Sequence, residues 1–132
     1  MSLAIGFTGS RTALIIPQNI WVTKRLKELY ESDVEFHHGD CIGKDESVHR
    51  LAKNLGYKIV IHPPKNNVLR AYCKGDEWRD PLPYIERNHE IVDETTVLLA
   101  IPDVPEVMRS GTWATIRYAR KLKRKIIVWG SD

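Results

Sequence analysis

The feature that most constrains the fold is a repeated order of apolar run, glycine-containing turn and helical stripe. Three turns, GFTGSR at residues 6–11, GDCIGKD at 39–45 and SGTW at 110–113, each lie between a strand-like and a helix-like run. Such a turn brings backbone N–H groups to a helix N-terminus, where the helix dipole favours an anion. We therefore expect the three loops to converge at one sheet edge that is shaped for a phosphate-bearing ligand.

The alternation of strand-like and helix-like runs predicts the architecture. Strands are expected at residues 3–7, 34–38, 57–62, 95–101 and 125–129. Helices are expected at 17–32, after the 39–44 turn and ending at Gly56, at 83–94, and from 111 onward. This order predicts an α/β fold with a doubly wound, mostly parallel five-stranded sheet and helices on both faces. Ligands bind such sheets outside the carboxyl ends of the strands, near the switch point. Residues 63–83 show no sustained hydrophobic periodicity of a helix or a strand, which indicates a functional or mobile loop.

Bulk properties place the chain among ordinary globular proteins. Its 132 residues predict a single domain, 1–132, and its composition is 42% hydrophobic and 28% charged. No apolar stretch approaches the ~20 residues of a membrane span, and the N-terminus lacks a signal-peptide pattern. We expect a cytoplasmic protein that does not bind membranes. A formal net charge of +3 argues neither for nor against nucleic acid.

The first turn offers hydroxyls and a guanidinium beside glycine backbone. Thr8, Gly9, Ser10 and Arg11 are candidate ligand-binding residues, because a guanidinium can bind phosphate bidentately. The alternative is that Ser10 and Thr12 only cap a helix and that Arg11 is solvated. The spacing matches neither a Walker A loop nor the dinucleotide fingerprint with its third glycine.

The second turn places acidic groups at a helix start. Gly39, Asp40, Gly43 and Asp45 are candidates for the adjoining wall of the site. Asp45 is either a plain N-cap or a carboxylate that accepts a hydrogen bond from a ribose hydroxyl. No metal is expected from His37, His38 and Cys41, because adjacent strand residues point to opposite faces and the sequence shows no second ligand cluster.

The third turn and the preceding helix supply further candidates. Ser110, Gly111 and Thr112 repeat the arrangement of small residues at a helix N-terminus, and Arg87 with Asn88 falls near the start of the helix after the irregular segment. That arginine and asparagine either contact a ligand or a partner subunit, or form a solvated face. Trp113 is either a core residue or a lid over a base.

The last predicted helix carries a series of cations. They are Arg117, Arg120, Lys121, Lys123 and Arg124. Cations in the last turns suit the negative end of the helix dipole, so a solvated face is one interpretation. The other is a patch that tracks a nucleic-acid backbone. Only Tyr118 supplies an aromatic ring for base stacking there, which weakens the second interpretation.

Together these motifs resemble the SLOG superfamily, the Rossmann-like domains related to the LOG and DprA proteins, and most closely its small stand-alone YspA-like members. The resemblance rests on residues 6–11, 39–45, 62–63, 87–88, 97–101 and 110–113, and it covers nearly the whole chain. It implies a Rossmann-like fold that binds nucleotides or nucleotide-derived signals of the ADP-ribose or cyclic-nucleotide type. It also implies self-association, here as a dimer or tetramer, and no resident cofactor is expected.

One departure from the family bears on catalysis. The LOG-type enzymes that cleave the N-glycosidic bond of nucleoside monophosphates carry a double glycine before the Gly-Thr pair and a glutamate three residues beyond that threonine. Arg109-Ser110 and Thr115 occupy those places here. Because a hydroxyl near neutral pH cannot replace a carboxylate, hydrolysis would require Glu86, Asp45 or Glu46 instead.

Three functions follow, in decreasing order of support. The first is a sensor or sequestering protein that binds a nucleotide-derived small molecule without catalysis. The second is a phosphoribohydrolase-like N-glycosidase acting on nucleoside 5′-monophosphates. The third is DprA-like binding of single-stranded nucleic acid through the basic last helix, which is the least expected of the three.

Overall fold

The computed structural model describes residues 3–131 of the chain. The strands are β1 (Ala4–Gly9), β2 (Glu35–His38), β3 (Lys58–Ile61), β4 (Glu77–Trp78), β5 (Val97–Ile101) and β6 (Lys125–Val128). The α-helices are α1 (Ile16–Leu29), α2 (Lys44–Asn54), α3 (Tyr84–Asp93) and α4 (Gly111–Lys121), and a 3-10 turn covers Asn67–Leu69. Within residues 3–131, none of the helices has the length and apolar character that crossing a bilayer requires.

The strands form one parallel sheet with the order β4-β3-β2-β1-β5-β6. From β1 the chain builds outward to β2, β3 and β4, and then α3 returns it to the other side of β1 for β5 and β6. The direction of winding therefore reverses at β1. A crevice is expected outside the carboxyl ends of β1 and its neighbours, because loops on the two sides of a switch point diverge.

The prediction of five strands is wrong, since the sheet has six. The extra strand β4 lies inside the segment 63–83 and pairs with β3 through Val60 with Glu77 and Ile61 with Trp78. The Asp76 carboxylate anchors its start by accepting a hydrogen bond of 2.7 Å from the Ile59 amide. A strand of two residues is too short to show an alternating pattern, so sequence periodicity does not detect it.

Helices cover both faces of the sheet. Val22 and Leu26 of α1, with Val48 and Ala52 of α2, pack on one face against a cluster that includes Phe36. Val92 of α3 and Ile116 and Ala119 of α4 pack on the other face against Leu98 and Ala100. Because β5 is buried on both sides, its sequence VLLAI is apolar throughout, as is typical of a central parallel strand.

The segment 63–83 is held against the rest of the domain. The Asp40 carboxylate accepts hydrogen bonds from the Arg70 Nε and the Cys73 amide, both at 2.8 Å. The backbones of Cys41 and Arg70 form an isolated antiparallel β-bridge, and those of Pro64 and Leu82 form an isolated parallel one. The segment therefore runs along the edge of the sheet and packs against the loop after β2.

Candidate functional site

A cavity of about 320 Å³ lies at the switch point, above the carboxyl ends of the strands. Of the predicted ligand-binding residues, Thr8, Gly9, Ser10, Arg11, Gly39, Asp45, Arg87, Asn88, Ser110, Gly111 and Thr112 line it. Phe7, Cys41, Tyr84 and Ile91 complete the wall. The three glycine loops thus converge at one place, as the order of the motifs predicts, and the start of α3 joins them.

Arg87 is the dominant charge of the cavity. It is 5% exposed and belongs to the first turn of α3. Its guanidinium donates to the carbonyl oxygens of Gly39 and His62, to Asn88 Oδ1 at 2.7 Å, and to Cys41 Sγ at 3.6 Å. These acceptors are all neutral, and no carboxylate within residues 3–131 forms an ion pair with it. Asp45 lies close enough for its pKa to respond to the charge of Arg87, but the two side chains form no ion pair, so the guanidinium is available to bind an anion from outside the chain.

Asp45 is the acidic group of the cavity, and it does not cap α2, whose N-cap is Gly43. Its Oδ2 accepts hydrogen bonds from the amides of Gly39 and Cys41, each at 3.2 Å. Within residues 3–131, its Oδ1 has no hydrogen-bond partner. Burial raises the pKa of Asp45 to about 6, although the charge of Arg87 and the two amides oppose the rise.

Asp40 and Gly43 lie outside the cavity wall, contrary to their expected role. Asp40 is fully buried and binds Arg70 and Cys73 of the following segment. Gly43 has a φ of 92°, and a Cβ there would lie 2.2 Å from the carbonyl oxygen of Arg11. Both residues act on the shape of the loops, and neither is among the residues that line the cavity.

The loop after β1 is fixed by an ion pair that sequence reasoning missed. Lys44 is 1% exposed, and its ammonium donates to Asp103 Oδ2 at 2.8 Å, to Ser10 Oγ at 2.9 Å and to Thr12 Oγ1 at 3.0 Å. Ser10 Oγ also donates to the Asp103 carboxylate. Burial alone would raise the pKa of Asp103, but the hydrogen bonds from Lys44, Ser10 and Thr12 lower it to about 2.

This ion pair changes the interpretation of the first turn. The N-cap of α1 is Ile15, so neither Ser10 nor Thr12 caps that helix. The hydroxyl of Ser10 is already engaged inside the protein, and the loop meets the cavity through backbone and through Arg11. No sequence signal identifies the pair, because Lys44 and Asp103 are distant in the chain and adjoin different strands.

Tyr84 is a second residue that the sequence did not reveal. It is the first residue of α3, and its ring lies 5.4 Å from the guanidinium carbon of Arg11 and 5.5 Å from that of Arg87. Guanidinium groups are attracted to aromatic faces at such distances. The ring therefore holds the exposed Arg11 next to the buried Arg87, and it concentrates positive charge on this side of the cavity.

The start of α4 faces the cavity from the opposite side. Ser110 is its N-cap and accepts a hydrogen bond of 3.2 Å from the Trp113 amide. The amides of Gly111 and Thr112 have no acceptor among residues 3–131. Trp113 is 8% exposed and donates from its indole nitrogen to the Val104 carbonyl at 2.7 Å, so it fixes the preceding loop and does not cover the cavity.

Of the candidates for a catalytic carboxylate, only Asp45 lines the cavity. Glu86 is exposed on α3, and Glu46 pairs with Arg50 on the surface of α2 at 3.5 Å. Thr115 is buried, and its hydroxyl donates to the Gly111 carbonyl within α4. The position of the LOG-type glutamate therefore offers the cavity no acid or base.

Two of the cations predicted for the last helix have structural partners, one on α4 and one just beyond its end. Arg120 binds Glu106 at 2.7 Å, and Arg124 donates to the carbonyl oxygens of Val92 and Asp93 at the end of α3. Arg120 therefore connects α4 to the loop before it, and Arg124, which follows α4, contacts the end of α3. These contacts favour the structural interpretation of the basic helix over nucleic-acid binding.

The adjacent histidines of β2 point to opposite faces of the sheet, and each meets partners that the sequence did not indicate. His38 contacts His49 of α2, and Cys73 lies nearby. His37 contacts His62, which follows β3. The argument from the sequence that no second ligand cluster exists is therefore wrong, because the partners come from distant elements.

No family model matches this sequence, and no curated protein matches it either. Two solved structures are similar in fold. A structural genomics target called TM1055 has a TM-score of 0.72 at 16% identity, with 98% of this chain and 75% of that chain covered. The Moco carrier protein from Chlamydomonas reinhardtii has a TM-score of 0.65 at 18% identity, with 98% and 77% covered. Both are Rossmann-like. At these identities the likeness shows the fold alone, and this chain has a Rossmann-like α/β fold with a parallel sheet.

Proposed function

We propose that this protein binds a nucleotide or a nucleotide-derived signalling molecule in the cavity at the switch point, as a sensor or sequestering protein. The observation that carries the proposal is the buried guanidinium of Arg87, which has only neutral acceptors in the protein. A phosphate of the ligand would supply the missing anion, and the free amides of Gly111 and Thr112 would bind its other oxygens.

The remaining walls suit the rest of such a ligand. Asp45 lines the cavity with its Oδ1 free to accept a hydrogen bond from a sugar hydroxyl, and the ring of Tyr84 lines it beside the guanidinium of Arg87. The cavity volume of about 320 Å³ lies at the small end of the range for small-molecule sites. We therefore expect one mononucleotide-sized unit in the cavity.

The test is a thermal-shift and calorimetry panel of nucleoside monophosphates, ADP-ribose and cyclic nucleotides at millimolar concentration. A ligand present at 100 times its Kd should stabilise the protein by about 2.7 kcal/mol. Arg87→Gln should abolish that stabilisation. Arg117→Gln is the matched control, because Arg117 is exposed on α4 and has no polar contact within residues 3–131, and it should behave as the unmodified chain.

An N-glycosidase acting on nucleoside 5′-monophosphates is a second candidate. It is favoured by the position of Asp45 in the cavity wall and by its raised pKa of about 6, which suits a general acid or base near neutral pH. Chromatography of incubated monophosphates should then show free base, and Asp45→Asn should stop its release. A chromatogram without free base, from a protein that binds the same nucleotide, supports binding without catalysis.

We also propose that the chain is a SLOG-type domain of the YspA-like kind that acts in the cytoplasm and self-associates. The assignment to the SLOG type is supported by the convergence of the glycine loops at the switch point. Self-association is supported by Ile16 and Ile20 of α1, two large apolar side chains that are 78% and 64% exposed. Light scattering of the purified protein should give the mass of a dimer or tetramer, and a monomer at high micromolar concentration would contradict it.

A further inference from the structure

Two pairs of buried histidines lie on opposite faces of the sheet, and only the pair of His37 and His62 has carboxylates at its outer nitrogens. His38 Nδ1 accepts a hydrogen bond of 3.0 Å from the Asp40 amide, so its proton lies on Nε2. That Nε2 donates to His49 Nδ1 at 3.0 Å. The nearby Cys73 thiol has its pKa raised to about 12 by burial and by Asp40. The two nitrogens that face each other in this pair therefore share one hydrogen bond, and no free nitrogen lone pair lies between the rings.

The other pair has a conflict. His37 Nε2 lies 2.9 Å from Glu35 Oε1, and His62 Nδ1 lies 2.7 Å from Glu90 Oε1. When both carboxylates are ionised they only accept hydrogen bonds, and each imidazole then places its proton on the nitrogen that faces its carboxylate. The nitrogens that remain, His37 Nδ1 and His62 Nε2, then point two lone pairs at each other across 2.7 Å. Their rings are 1% and 0% exposed, so bulk water does not separate them.

A third ligand atom faces the same point. Glu94 Oε1 lies 3.9 Å from His37 Nδ1 and 4.0 Å from His62 Nε2. Two imidazole nitrogens and a carboxylate are a common ligand set of Zn²⁺. Glu35 and Glu90 would brace the far nitrogens of both rings, as carboxylates do around zinc-bound histidines.

We propose that His37, His62 and Glu94 form a binding site for a divalent transition-metal ion, with Zn²⁺ as the best match. The ion would replace the contact between the two lone pairs and leave one coordination position for water. In a tetrahedral zinc site two ligand nitrogens lie about 3.4 Å apart, so the rings must separate by about 0.7 Å. This site lies on the α3 face of β2 and β3, and the proposed nucleotide cavity does not include these three residues.

Carboxylates around the site favour a bound cation, and nearby arginine side chains oppose it. Glu35, Glu90 and Glu94 bring three carboxylates, and two cations lie close by: Arg79, at 2.8 Å from Glu94 Oε1, and Arg87, which donates to the His62 carbonyl at 3.4 Å. The more distant Lys58 lies 3.8 Å from Glu35 and is shared with Glu77. Arg79 competes with a metal for the carboxylate of Glu94, so its removal should strengthen metal binding.

The experiment measures zinc and cobalt(II) binding to the full chain after treatment with a chelator. We expect about one ion per chain, with the visible absorption of four- or five-coordinate cobalt. Glu94→Gln and His62→Gln should each weaken binding by about tenfold or more, and Arg79→Gln should strengthen it. His49→Gln is the matched control from the other face and should leave the affinity unchanged.

A measurement on the unmodified chain keeps the proposal testable if a histidine variant fails to fold. In side-chain nitrogen NMR, added zinc should shift the signals of His37 Nδ1 and His62 Nε2 and leave those of His38 and His49 in place. The proposal is overturned if zinc does not bind at micromolar concentration, or if the signals of the other pair move instead. A signal showing one proton shared between His37 and His62 that zinc does not displace would also overturn it.

Discussion

The guanidinium of Arg87 lies directly against the backbone of Gly39 and donates a hydrogen bond to its carbonyl oxygen. A Cβ at Gly39 would lie 2.5 Å from the Arg87 Nη1 and 2.6 Å from its Cζ. The glycine after β2 is therefore required by the arginine of α3, and this contact joins two walls of the cavity. A side chain at residue 39 would force the guanidinium of Arg87 to shift from this position.

Gly39→Ala is predicted to displace that guanidinium. We expect a loss of about 1–3 kcal/mol in the free energy of unfolding, as for other overpacked buried sites, together with the loss of ligand binding. Gly111→Ala is the matched control for stability, because a Cβ there meets no atom within 4 Å. Urea unfolding of the two variants should separate them, and equal stabilities would contradict the proposed packing.

The buried ion pair between Lys44 and Asp103 is predicted to hold the loop after β1. Lys44→Met should destabilise the protein by roughly 2 kcal/mol. This is less than for a fully buried pair, because the Asp103 side chain is 31% exposed and screened by solvent. In a double-mutant cycle by urea unfolding, adding Asp103→Asn to Lys44→Met should cost much less than Asp103→Asn alone. Additive losses would show that the two groups do not stabilise each other.

The place of the site could be predicted from the sequence, but much of its chemistry could not. Glycine turns after parallel strands must meet at one edge, so the convergence of residues 6–11, 39–45 and 110–113 follows from topology. Burial of Arg87 without a directly paired carboxylate is a tertiary property that its helix position does not reveal. The same holds for Lys44 with Asp103 and for His37 with His62, whose partners come from distant parts of the chain.

Tyr84 is predicted to contribute to ligand binding through the two arginines beside its ring. Tyr84→Leu should remove both cation–π contacts and let Arg11 move away, and we expect a loss of about 1 kcal/mol, or about fivefold in affinity. Tyr84→Phe keeps the aromatic face and should bind nearly as well as the unmodified chain. Calorimetry with the ligand found in the panel measures both variants, and a Phe variant as weak as the Leu variant would point to the hydroxyl instead of the ring.

Asp45 is predicted to make the stability of the protein depend on pH between its unfolded and folded pKa values. Burial raises the pKa of Asp45 from 3.8 to about 6, so the folded state holds this proton more tightly than the unfolded state. The stabilisation is complete below the unfolded pKa and is lost as the pH rises through the folded pKa. Between pH 4 and pH 7 the ionisation of this one carboxyl should cost about 2 kcal/mol of unfolding free energy.

Asp45→Asn isolates that contribution, because its side-chain oxygen can still accept a hydrogen bond from Gly39 or Cys41 and it does not titrate. The difference in unfolding free energy between the unmodified chain and the variant, measured by urea at several pH values, should change by about 2 kcal/mol in favour of the variant from pH 4 to pH 7. A difference that stays constant with pH would mean that the carboxyl is solvated. Asp45 would then be an ordinary surface acid that could not serve the cavity as a proton donor near neutral pH.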